Sequence, residues 1–282
     1  MAFISHDEFE FLAGFIYRKT GIRYEFKKLY FLSKRVQKRM EELGLETTDD
    51  YIRKLRFADP EHQEFQLLLN LLTINETYFF RDFPQLQAFA ENCLPEVTEK
   101  KEAAGKRNLR IWSAGCASGE EPYTIAIILL EMLENPEQWK IDIVASDIDL
   151  NMLEKAKKAV YDERSIRDVP EEYLEHYFTV SGNQYRLNSN IRRMVRLEHL
   201  NLGERESVRQ KSAFDIIFCR NVLIYFDDIS RKQLVDQFYV TLNPGGYIFL
   251  GSSESVGRIS SAFKLKRTGN YLVYYKEEEA EL

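Results

Sequence analysis

Over residues 1–90 the apolar positions recur at helical spacing, and no stretch alternates as a strand would. Residues 5–19 predict an amphipathic helix, with Ser5 and Glu8 spaced as a capping box and Gly21 just past its end. In a second helix, over 27–43, Leu29, Leu32, Val36, Met40 and Leu43 define one buried face. Helices over 48–57 and 61–72 complete a small bundle, so an all-α N-terminal domain is expected over 1–90. Residues 91–108 are charged and contain Pro95 and Gly105; they read as an amphipathic segment followed by a linker. From residue 109 the pattern changes. Short apolar runs at 109–112, 141–146, 195–200, 214–219 and 247–251 alternate with helical stretches at 123–133, 152–160 and 230–242. That alternation predicts a doubly wound α/β domain over 109–282. At about 178–195 two strand-like segments flank Ser181-Gly182-Asn183, which reads as a small antiparallel excursion. Asn243-Pro244-Gly245-Gly246 reads as a turn, strands near 263–265 and 271–275 as a closing pair, and 277–282 as a frayed tail.

The stretch Arg110 to Tyr123, RIWSAGCASGEEPY, carries the first chemistry. A β-prone run meets a turn of small residues that includes Gly115, and Pro122 suits the first turn of the helix beyond. Strand, glycine turn and helix form the nucleotide-binding start of a doubly wound sheet, where backbone approaches a ligand closely. The turn has no phosphate-binding lysine, and its glycines are not spaced as in a dinucleotide fingerprint. Glu120 and Glu121 at the helix start would repel a pyrophosphate and attract a cation. A nucleoside carrying positive charge fits, and S-adenosylmethionine is the cofactor inferred; a structural βα turn without a ligand is the competing reading. Asp147, at the end of the second strand, reads as a ligand for ribose hydroxyls or as a helix cap. Its interval from Gly115 exceeds the usual about 20 residues, and the loop at 135–139 accounts for the excess. Arg220, Asn221 and Tyr225 follow the carboxyl end of the fourth strand, either to reach a ligand or as a polar loop with Tyr225 in the core. Asn75, Thr77 and Arg81 lie among Tyr78, Phe79 and Phe80, as ligand-fixing groups or as helix caps beside core aromatics.

A net charge of −6 argues against a nucleic-acid binder. Against it the second predicted helix stands out, with Lys28, Arg35 and Arg39 along one flank of its buried face and Lys27, Lys34 and Lys38 opposite. These six cations form either a docking surface for an acidic partner or a solvated face. Cys93, Cys116 and Cys219 lack metal or disulfide spacing, so no metal is expected. Asp7, Glu8 and Glu10 do not suit a signal peptide, and no apolar run approaches the about 20 residues of a membrane span. A monomeric cytoplasmic protein without membrane insertion is the expectation.

The order of elements resembles the Rossmann-like methyltransferase fold. Four motifs narrow the likeness: Asn75-Glu76-Thr77-x-Phe79-Phe80-Arg81, Ser113 to Tyr123, Ala145-Ser146-Asp147-Ile148-Asp149, and Phe218 to Phe226. Together they resemble the bacterial chemotaxis receptor methyltransferase family, CheR, over nearly the whole chain. The resemblance implies methyl transfer from S-adenosylmethionine to glutamate carboxylates in the helical methylation region of chemoreceptors. It further implies cofactor contacts from Asn75, Thr77, Arg81, Glu121, Asp147, Asn201, Leu202, Arg220 and Asn221, with Arg81 and Tyr225 at the place of transfer. Arg35, Lys38 and Arg39 match the family's receptor-facing cations. Some members use the antiparallel excursion to hold a receptor C-terminal pentapeptide; the excursion here is shorter, so a pentapeptide-independent enzyme is expected. A methyltransferase of RNA or a small molecule is disfavoured by the charge and by the missing Asn/Asp-Pro-Pro motif. A non-catalytic cofactor sensor is the remaining alternative.

Overall fold

The computed structural model describes residues 4–255, 260–269 and 271–278, so residues 279–282 of the expected frayed tail lie outside the described residues. The N-terminal bundle consists of α1 (His6–Thr20), α2 (Leu29–Leu43), α3 (Thr48–Phe57) and α4 (Gln63–Leu72). Ser5 and Glu8 close the capping box on α1, and Gly21 ends it in the left-handed conformation. A 3-10 turn at Phe26–Lys28 precedes α2, which therefore starts two residues later than its sequence pattern indicates. Phe9, Leu12, Ile16, Leu32, Val36 and Leu68 fill the bundle's core, and each removes apolar surface from water.

Residues 91–108, expected to end in a linker, are mostly helical. The helix α5 (Phe83–Ala88) runs through a π turn at Phe89–Cys93 into α6 (Leu94–Ala103). Leu94 and Val97 are buried, while Glu99, Lys100 and Glu102 take the outer positions, so most of the charge of this segment covers one side of a packed helix. Phe79, Phe80 and Phe89 pack into the core of the sheet rather than that of the bundle.

The strands are β1 (Asn108–Ala114), β2 (Lys140–Asp147), β3 (Val160–Tyr161), β4 (Phe178–Ser181), β5 (Gln184–Leu187), β6 (Val195–His199), β7 (Phe214–Cys219), β8 (Leu242–Leu250), β9 (Lys264–Thr268) and β10 (Tyr271–Tyr275). A seven-stranded sheet has the order β6-β2-β1-β7-β8-β10-β9, parallel from β6 to β8 and antiparallel at β10 and β9. Neighbouring residues face opposite ways along each strand. Ile111, Ile143 and Phe218 therefore pack on one side of the sheet, and Trp112, Val144 and Ile217 on the other. The segment 243–246, read from sequence as a turn, lies inside β8, where a register shift between Phe214 and Ile216 takes up the extra residues. The antiparallel excursion gains a third strand, since β5 pairs with both β3 and β4.

Strand order reverses between β1 and β7, and ligands of such sheets bind at that switch point, beyond the strands' carboxyl ends. The bundle docks across this end. Asn201 donates from Nδ2 to the Lys19 carbonyl (2.7 Å), Tyr17 donates to Asp227 Oδ2 (2.9 Å), and the Arg23 N–H donates to the Tyr225 carbonyl (3.0 Å).

Candidate active site

The turn after β1 forms the floor of a chamber at the switch point. Gly115 has φ +88°, and a Cβ there would lie 2.4 Å from Val222 Cγ2, so only glycine lets the loop from β7 close over this turn. Gly119 precedes α7 (Glu120–Met132), which opens with the two glutamates pointing to different places. Glu120 is buried among Ser118 and Ser165, whose hydroxyls donate to it at 2.8 and 3.1 Å. Glu121 lines the chamber, accepting from Ser113 Oγ (2.7 Å) and Arg220 Nη1 (3.3 Å). Burial pushes the Glu121 carboxyl above its usual range, and Arg220 and Ser113 hold it partly down.

Asp147 sits beside them, its Oδ2 accepting from the Ala117 N–H and its Oδ1 from the Asp149 N–H, both at 2.8 Å. Burial raises its pKa as well, against the pull of those two backbone donors. Just past β7, Arg220 donates through Nη2 to Asp82 Oδ2 (2.9 Å) and the Arg81 carbonyl (2.6 Å), while its buried Nε has no partner among the described residues. Asn221 adopts the left-handed conformation at φ 60°, and its N–H donates to Glu254 Oε2 (2.8 Å), which fixes the loop leading to Tyr225. The Tyr225 hydroxyl donates to the Ile74 carbonyl (3.2 Å), and Arg81 Nη1 donates to the Glu76 carbonyl (2.7 Å).

Asn75, Thr77, Arg81, Gly115, Glu121, Asp147, Asn201, Leu202, Arg220, Asn221 and Tyr225 thus come from five separate stretches of chain and line one chamber. Sequence reasoning missed Thr20, Ile22 and Tyr24, which close it from the bundle. Their only advance signal was their place at or just after a well-marked helix end. Arg35, Lys38 and Arg39 lie outside the chamber. Arg35 stacks on Phe31 with 3.7 Å from guanidinium carbon to ring centre, and Lys38 is exposed. Arg39, a receptor-facing cation by the family resemblance, is buried: Glu64 holds it through Nε at 2.9 Å and Nη2 at 2.7 Å, and it pairs with Glu42.

Two desolvated carboxylates on an otherwise largely apolar wall favour a ligand that brings positive charge. A nucleoside with a sulfonium and an ammonium satisfies that requirement, and the Gly115 turn supplies the close backbone approach. The residues present therefore fit S-adenosylmethionine.

The comparisons decide the family. Residues 75–272 match the model described as CheR methyltransferase, SAM binding domain, and residues 7–73 match the CheR methyltransferase, all-alpha domain. This chain belongs to the CheR family. Chemotaxis protein methyltransferase 2 of Vibrio cholerae is 43% identical, over 97% of this chain and 94% of that protein. The chemotaxis protein methyltransferase of Borreliella burgdorferi is 34% identical, over 90% of this chain and 89% of its own length. Chemotaxis protein methyltransferase 1 of Pseudomonas aeruginosa is 32% identical, over 95% and 97% respectively. The CheR chain is accordingly an S-adenosylmethionine-dependent methyltransferase, with the chamber at the switch point of its sheet. No helix among the described residues is long and apolar enough to cross a membrane.

Proposed function

We propose that this protein transfers the methyl group of S-adenosylmethionine to glutamate side-chain carboxylates of chemoreceptors, in the cytoplasm, giving methyl esters. When bound, the cofactor supplies an electrophilic methyl on a sulfonium. The acceptor carboxylate, with a reference pKa of about 4.3, is already ionised at neutral pH, so the site requires no general base. Among the described residues no histidine lines the chamber, which suits that chemistry. The remaining task is alignment, and positioned groups contribute to it by holding reactants in line. Glu121 would take the cofactor's ammonium, Asp147 its ribose, and Arg81 and Tyr225 would hold the acceptor carboxylate.

The observation that carries the reading is a second cavity, of about 460 Å³, on the far side of Tyr225. It shares Tyr24, Ile74, Tyr225 and Phe226 with the chamber, and its lining sets Arg23, Lys27, Lys28 and Arg231 against Glu25, Asp227 and Asp228. Lys27 pairs with Glu25 and Arg231 with Asp228, so a groove of mixed charge with Arg23 and Lys28 at its edge, ending at Tyr225, is what the protein offers a helix that bears carboxylates. Arg35, stacked on Phe31, and the exposed Lys38 add positive charge further along α2, while Arg39 supports the helix from inside.

The test is methyl transfer from radiolabelled S-adenosylmethionine to a chemoreceptor cytoplasmic fragment, followed by mild alkali. Release of volatile methanol is expected; alkali-stable label would mean a nitrogen or carbon acceptor and would overturn the proposal. Pentapeptide independence is part of the reading, supported by the short β4–β5 hairpin of four-residue strands. Micromolar binding of a receptor C-terminal pentapeptide in calorimetry would contradict that part alone.

A further inference from the structure

Asp149 is fully buried where three walls of the chamber meet, between β2 and α8 (Leu150–Lys158). A buried carboxylate must have hydrogen-bond partners, and both oxygens of this one are engaged. Oδ1 accepts from the N–H groups of Asn151 (2.9 Å) and Met152 (3.2 Å), capping α8. Oδ2 accepts from Thr73 Oγ1 (2.6 Å) and Asn75 Nδ2 (2.7 Å), which belong to the segment joining the two domains. The Asp149 N–H donates to Asp147 Oδ1, and Asp147 Oδ2 in turn accepts from Ala117 in the glycine turn. One residue therefore ties together the interdomain segment, the end of β2 and the floor of the chamber. Helix capping accounts for Oδ1 only.

The second oxygen dictates an orientation. The Oδ2 oxygen accepts from Asn75 Nδ2, so Asn75 faces it with its NH₂ group. That nitrogen also donates to Thr73 Oγ1 (3.1 Å), and both amide hydrogens are then taken within the protein. The carbonyl Oδ1 is what Asn75 has left for a ligand. We infer that Asp149 is a positioning residue for the cofactor: it locks Asn75 so that its carbonyl oxygen meets a hydrogen-bond donor of the nucleoside, a hydroxyl or an amino group. The inference rests on the chamber being the S-adenosylmethionine site.

Asp149→Asn in the full chain separates the two duties. Asparagine caps a helix about as well as aspartate, so α8 keeps its cap, while the group facing Asn75 becomes a donor. The dissociation constant of S-adenosylhomocysteine, measured by calorimetry, should rise about tenfold or more. The melting temperature, kcat at saturating cofactor and KM for the receptor fragment should stay near wild type. Asn75→Ala should weaken binding comparably, and the double variant should be no weaker than either single one, because they share one interaction. A folded Asp149→Asn protein with wild-type affinity, or penalties that add, would overturn the assignment. Should that variant not fold, Asn75→Asp sets a second carboxylate against Asp149. Relative to wild type at the same pH, binding must then be lost at neutral pH and partly recovered on acidification as the pair takes up a proton; a deficit relative to wild type that does not change with pH overturns the assignment. Wild-type protein that fails to bind the nucleoside would overturn the chamber reading itself, an outcome distinct from an unaffected variant.

Discussion

Glu121 and Asp147 are costly residues to keep, because burial raises both pKa values. A carboxyl with a raised folded pKa contributes stability that is present while it is protonated and lost as pH rises through that pKa. At neutral pH these two groups therefore weaken the fold, and a bound cation offsets the cost. The affinity for S-adenosylmethionine should accordingly begin to fall on acidification while still above the ordinary carboxylate range, and the affinity for adenosine, which has no cation to meet Glu121 and only its ribose at Asp147, should fall less. Parallel pH profiles of the two nucleosides, titrated by calorimetry, would contradict this. Arg81→Ala should lower kcat/KM by about 100-fold, a factor typical of lost alignment, with an unchanged melting temperature; normal turnover would remove Arg81 from the site. The pair Glu120-Glu121 also marks where reading residues from sequence stops. Both were visible as cation-attracting groups, yet a one-residue step turns a helical side chain by about 100°, and only the start of α7 at Glu120 decides which one enters the chamber.

At the scale of elements, most ends were legible because their chemistry is local. The Ser5–Glu8 box and Gly21 bound α1 as their spacing indicates. Features set by partners distant in sequence were not. Proline and two glycines normally mark a turn, but pairing of Phe214 with Leu242 and of Ile216 with Tyr247 draws them into β8. The charged 94–103 segment becomes α6 because the sheet offers a surface for Leu94 and Val97. Arg39 is the sharpest case. The helical wheel gave its angle on α2 but not its partner Glu64 on α4, which also accepts from Tyr51 (2.8 Å). Removing one member of such a buried pair strands the other, so Arg39→Ala should destabilise the bundle by about 3–5 kcal/mol in denaturant melts. Arg35→Glu with Lys38→Glu should leave stability nearly intact and instead raise KM for the receptor fragment. A stable Arg39→Ala protein with impaired receptor binding would return Arg39 to the docking surface.

At the scale of the molecule, the bundle is part of the chamber rather than an appendage to it. Thr20, Ile22 and Tyr24 at the end of α1 line the chamber together with the loops of the sheet, so the cofactor's surroundings depend on how the two domains meet. That meeting is tight at Gly203, where a Cβ would lie 2.1 Å from the Thr20 carbonyl oxygen and 3.1 Å from the Gly21 nitrogen. Both atoms are backbone at a helix end and cannot turn aside as a side chain would. Gly203→Ala must push α1 away from the sheet, although residue 203 is not among those lining the chamber. Overpacking of this kind costs about 1–3 kcal/mol, so the melting temperature should fall by several degrees. Affinity for S-adenosylhomocysteine should fall with it, about tenfold or more, because one wall has moved. Tyr17→Phe makes the comparison fair: it removes the hydrogen bond to Asp227 at the same interface but keeps the shape, and should cost only about 1 kcal/mol with little loss of affinity. If Gly203→Ala lowered the melting temperature yet bound the nucleoside as wild type does, the sheet alone would make the site. Loss of both together would mean that the position of the bundle and occupancy of the chamber are two readings of one equilibrium.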